Sequence, residues 1–364
     1  MSTLINWDLA ASTAAKLAPA GPKLSGLEVS AAVADLRKMA DRSVPYVHQI
    51  TGLEVAADLR DSQVLIVDRA SWAKANTQGF SVMLASTLVR VEQRAREQNA
   101  LKPAARAISG TVTGAQLGAV LAFLSSKVLG QYDPFAALAS ESSVPSAGRL
   151  LLVAPNIISV ERELGVDPAD FRLWVCLHEQ THRVQFAAAP WLRDHMLSEV
   201  NKLSSLLLGN MDSLGERVSS ALKGLPGSGT AADSSRGGVL DLLQDPQEKA
   251  ALSHLTAVMS LLEGHANVVM DAVDASIVPT VKTIRQRFNS RGKDRGAVEK
   301  FIRNLLGLNA KMRQYTDGAR FVRAVVDQVG MPGFNRVWES AEQLPTEEEI
   351  HQPALWVRRM GLAG

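Results

Sequence analysis

The chain is short of several things that would each point to a class of function. Cysteine occurs once, at Cys176, so no disulfide can close within the chain. That fits a reducing compartment and predicts a cytoplasmic protein. Charge of one sign is not in excess: 39 Lys and Arg stand against 37 Asp and Glu, a net of +2. Such a balance excludes a broad electrostatic role on polyanions, so no nucleic-acid partner is expected. The N-terminus has no basic stretch followed by an apolar one, so no signal peptide is expected. A Walker loop, a dinucleotide fingerprint and an internal repeat are all missing. Strand-forming runs are scarce, with only Gln63 to Val67 and Arg149 to Val153 qualifying. The rest carries helical period, which predicts a mainly α fold with a small β-sheet.

Long apolar runs are also few. Ile108 to Ser126 has no charged residue, and Gly110, Gly114 and Gly118 recur every fourth position. Ser109, Thr111, Thr113 and Gln116 dilute the run, and Lys127 ends it. It reads as a core helix packed through its glycines, not as a span, and no membrane partner is expected.

With 364 residues, 46% of them hydrophobic, there is material for one large core or two modest ones. The expected organisation is a helical region with a short strand over 1–140 and a metal-binding region over 141–364, packed as one unit. Glu141 to Gly148 reads as a linker, and the Gly/Ser-rich stretch from Lys223 to Gly238 as a flexible loop. A basic run holds Lys282, Arg285, Arg287, Arg291, Lys293 and Arg295 and is expected to be a solvated helix end.

The densest signal is His178-Glu179-Gln180-Thr181-His182. Upstream, Asp167-Pro168-Ala169-Asp170 supplies a cap, a proline at the first helical position and an acid at the third. Phe171, Trp174, Val175, Leu177, Val184 and Phe186 give an apolar stripe, and Pro190 ends the run. On a helix, residues four apart are offset by about 40°, so His178 and His182 face one way, one turn apart. Two imidazoles so placed can bind one Zn²⁺. Glu179 lies about 100° round, within reach of a reacting water without being a ligand. That is the layout of metal-assisted hydrolysis. Cys176 is about 200° from His178 and reads as a small buried residue.

A catalytic zinc takes three protein ligands. Glu263, in Glu263-Gly264-His265-Ala266, is the candidate third. A second helix start, Asp245-Pro246-Gln247-Glu248, precedes it. Asn267 falls one turn later on the same face and is suited to steady a histidine ligand. His265 is the competitor, but it faces Leu261, Leu262, Val268 and Val269, a setting for a packed histidine.

An H-E-x-x-H motif followed by E-G-x-A on a second helix resembles the gluzincin branch of zinc metallopeptidases. The resemblance implies Glu263 as third ligand and Glu179 as general base. Many gluzincins carry an Asp where this chain has Asn267. A resemblance over nearly the whole chain is to the actinobacterial zincin-like family of hydrolases and zinc-dependent metalloproteases, with its branch associated with coenzyme F-420 biosynthesis. Val67-Asp68-Arg69-Ala70-Ser71-Trp72, Val128 to Asp133, Leu150 to Asn156, Asp170 to Trp174, Pro190 to Arg193, Glu263 to Asp271 and Lys311 to Gly318 carry it. It implies a zincin-like core with additional helices, whose short sheet can offer an edge strand to an extended substrate.

The expected function is zinc-dependent hydrolysis of a peptide or small-molecule substrate. Glu179 takes a proton from water and passes it to the leaving group. The oxyanion needs a further donor, and Tyr315 and His265 are the candidates. The alternative is a catalytically silent, metal-stabilised scaffold or binding protein, for which the family branch implies a link to deazaflavin coenzyme metabolism.

Overall fold

Several helices begin where a short polar side chain takes up free N–H groups of the first turn. In the computed structural model, which describes residues 4–97, 103–139, 148–209, 246–291 and 314–362, Asn6 caps α1 (Trp7–Leu17), accepting from Leu9 N–H at 2.9 Å. Ser25 and Glu28 form a reciprocal capping box on α2 (Gly26–Thr51), and Gly52 ends that helix in the left-handed region at φ 63°. Asp68 caps α3 (Arg69–Met83). Then come α4 (Ala85–Glu97), α5 (Pro103–Ser125), α6 (Ala136–Ala139) and α7 (Ala154–Leu164). The next two are α8 (Pro168–Ala188) and α9 (Leu192–Gly209), and beyond them lie α10 (Pro246–Ala272) and α11 (Val281–Arg291). Near the C-terminus are α12 (Gln314–Asn335), α13 (Glu347–His351) and α14 (Pro353–Arg359). The expected flexible stretch from Lys223 to Gly238 lies outside the described residues, as does the linker from Glu141 apart from Gly148.

Strands β1 (Gln63–Val67) and β3 (Arg149–Val153) fall where the sequence places them. A third, β2 (Gly130–Asp133), was not anticipated. The order is β1-β3-β2, with β3 parallel to β1 and antiparallel to β2. The sheet therefore spans the region boundary expected near residue 140.

Backbone contacts divide the chain into two units. One comprises Met1–Arg193 and Val269–Phe288, the other Asp194–Val268 and Asn289–Gly364. In the first, the central strand β3 is buried on both faces, and its side chains alternate between two cores. Leu152 enters the larger core with Leu36 and Val47 of α2, Phe171, Cys176, Leu177 and Val184 of α8, and Val273, Ile277 and Ile284 from the returning segment. Leu151 and Val153 enter the smaller one with Trp72 and Ala73 of α3 and Leu121 of α5. Each such side chain, fully buried, contributes about 1.5–3 kcal/mol.

The charge-free run lies in α5 as far as Ser125, and no helix among the described residues is long and apolar enough to cross a membrane. Its glycines face α1 instead. A Cβ on Gly114 or Gly118 would stand 2.5 Å from the carbonyl oxygen of Asn6 or Ala10.

Part of the basic run is structural. Arg285 donates to the carbonyls of Asp271 at 3.1 Å, in the last turn of α10, and of Val273 at 2.7 Å, just past its end. Arg287 does the same for Leu164 at 2.7 Å and Gly165 at 2.6 Å at the end of α7. Both cations sit where helix dipoles and orphan carbonyls favour them.

In the second unit, α10 and α12 cross at glycine on glycine. A Cβ on Gly264 would collide with the Gly318 backbone, and one on Gly318 with the Ser260 carbonyl. Phe321 of α12 packs edge-on against Trp356 of α14, with centroids 5.8 Å apart.

Candidate metal centre

The helix carrying the five-residue motif is fixed before its histidines are considered. Asp167 accepts from Asp170 N–H at 2.9 Å, and Pro168 takes the first helical position. Phe171, Cys176, Leu177 and Val184 bury one face. Within the motif, the Thr181 hydroxyl donates to the Leu177 carbonyl at 2.8 Å. Just after it, buried Arg183 pairs with Asp61 at 2.8 Å and donates to the Leu59 carbonyl at 3.0 Å. The pair ties α8 to the segment leading into β1.

This leaves His178 and His182 half-buried on another face, their rings 4.9 Å apart and nearly perpendicular. Glu263, also half-buried, comes from α10, a continuous helix whose last residues belong to the larger core. Ligand atoms of His178, His182 and Glu263 all lie within 4.8 Å of one another.

The donor set fits zinc. Two imidazole nitrogens and a carboxylate oxygen are a common catalytic set for that ion. Protonation is also suitable: His182 Nδ1 lies 3.0 Å from the Gln185 side-chain oxygen. That oxygen accepts only, so the contact calls for the hydrogen on Nδ1 and the ring lone pair on Nε2. Gln185 is fully buried and lies one turn beyond His182. Sequence reasoning assigned the steadying role to Asn267, which is exposed.

Glu179 is 7% exposed and lies against the first residue of β2. A Cβ on Gly130 would stand 2.5 Å from Glu179 Cγ and 2.9 Å from its Oε1. Only a bare backbone fits there, and the carboxylate gains a rigid wall. Cys176 is wholly buried, and burial pushes its thiol up, with Glu179 adding to the effect. His265 is also wholly buried, its ring stacked on Phe334 at 5.2 Å and tilted against Trp338 at 5.4 Å. Tyr315 falls in the first turn of α12, and its side chain lies outside the described residues.

Among the described residues, Gly130 and Gln185 are neighbours of the candidate site that the sequence reading did not name. Gln185 had a usable signal, since residues three apart on a helix are neighbours. Gly130 had none beyond a glycine opening a short run, because its contact joins residues distant in sequence.

The model of the zincin-like metallopeptidase family matches residues 5–357. The chain belongs to that family. A crystal structure of a candidate hydrolase with a novel fold from Chloroflexus aurantiacus is similar to this family member at 29% identity and TM-score 0.67. The match covers 99% of this chain and 100% of that one. No curated protein matches.

Proposed function

We propose that this zincin-like protein is a zinc-dependent hydrolase of the metallopeptidase type, with Glu179 as its general base. The observation that carries the reading is the convergence of His178, His182 and Glu263 beside a buried glutamate. Zinc, when bound there, supplies a Lewis acid for the substrate carbonyl and for water. His178 and His182 offer nitrogens, and Gln185 holds the His182 tautomer. Glu263 offsets the charge of a divalent ion. Glu179 accepts a proton from water as that water adds to the carbonyl carbon, then gives it to the departing nitrogen. Gly130 keeps that carboxylate from swinging away. A peptide is the substrate class that the family supports.

The test is a metal assay followed by turnover of a peptide library by wild type and Glu179→Gln. Glutamine keeps the shape but cannot take the proton, so hydrolysis should fall by about 10²–10⁴-fold or more. Zinc content and the circular dichroism spectrum should stay as in wild type. A Glu179→Gln protein that cleaves at the wild-type rate would place the base elsewhere.

A further inference from the structure

A second pair of imidazoles meets elsewhere. His195 in the first turn of α9 and His254 in α10 bring their Nε2 atoms to 2.8 Å, with rings 5.1 Å apart at 81°. Both belong to the second unit. His254 precedes Glu263 by two and a half turns, about 13 Å along the helix and on the opposite face. The pair is therefore separate from the first centre.

Two facing nitrogens can share a proton or a cation. Sharing a proton requires one Nε2–H and one bare Nε2. Sharing a cation requires both bare, at about 3.3 Å for tetrahedral zinc with bonds of about 2.0–2.1 Å. Opening the pair by about 0.5 Å meets that bite. Neighbouring carboxylates favour the cation. Burial, helped by His195 and Lys202 and opposed by Glu199, holds His254 below the ordinary imidazole value. Glu199 lies one turn after His195 on the same face of α9, largely buried, with Lys202 3.7 Å away. Glu342 lies within electrostatic reach of His195.

We propose that His195 and His254, with Glu199 turning in from Lys202 as third donor, form a second transition-metal site. An imidazole-rich pair suits Cu²⁺, Zn²⁺ or Ni²⁺. Such a cation would tie α9 to α10, the helix that presents Glu263.

The probe is Cu²⁺ or Zn²⁺ alone, titrated into the full chain and counted by elemental analysis. Wild type should take two equivalents, and His195→Gln and His254→Gln one each. His178→Ala should still hold one, with a two-nitrogen pattern in the Cu²⁺ spin resonance spectrum. Glu199→Gln should weaken that equivalent by about tenfold. The decisive reading is the loss of one equivalent in both histidine variants relative to wild type, whatever the first centre binds. Two variants are used so that if one misfolds by circular dichroism, the other decides. Retention of the wild-type stoichiometry in a folded His195→Gln or His254→Gln protein overturns the proposal, as does a His178→Ala protein that binds no metal.

Discussion

The two helices that carry the candidate metal ligands share a sequence signal at their starts and are held differently. Both α8 and α10 open with the proline of an Asp-Pro pair in the sequence. α8 is held by an apolar face and the buried Arg183–Asp61 pair beneath its motif. At Glu263, α10 is held by close backbone approach, where Gly264 meets Gly318. The first kind of support is sensitive to loss of a charge. The second is sensitive to one added methyl group.

Three substitutions test that contrast, in order of expected effect. Arg183→Met leaves Asp61 without its cation and should cost about 3 kcal/mol, the low end for such a pair because Asp61 keeps some contact with water. Urea unfolding measures it, and a loss under about 1 kcal/mol would mean that apolar packing alone holds α8. Gly264→Ala should cost about 1–3 kcal/mol by overpacking, and zinc affinity should fall as α10 shifts. If Gly264→Ala melts like wild type and keeps its zinc, the glycine crossing is not what sets Glu263. Gln185→Ala acts on one ring only. It should weaken zinc by about 10–100-fold in a chelator competition and leave the fold intact. An unchanged constant would show that the His182 tautomer needs no partner.

Legibility in the sequence follows the range of the forces involved. The cap at Asp167, the strands β1 and β3 and the face shared by His178 and His182 are local, so period and capping chemistry were enough to find them. β2 was missed because Gly130-Gln131-Tyr132-Asp133 is short, half polar and opened by a glycine. It exists because β3 and α8 give it partners. The divided units were not visible either, since the returning segment joins its core through contacts distant in sequence. For Arg285 and Arg287, composition marked a charge run, and only the fold shows which helix ends they serve.

The divided core also sets an order of events during synthesis. Phe171, Cys176, Leu177 and Val184 leave the ribosome well before Val273, Ile277, Val278, Val281 and Ile284, which complete their packing. Until the returning segment arrives, the apolar face of α8 is covered only in part, by α2 and β3, and the remainder is a sticky surface for a nascent chain. A fragment ending before Val269 would contain both motif histidines and Glu263, yet lack the residues that finish the core beneath the motif helix. Such a fragment should need a chaperone to stay in solution. Completion of the core beneath the motif helix thus waits on a segment that supplies none of the candidate ligands.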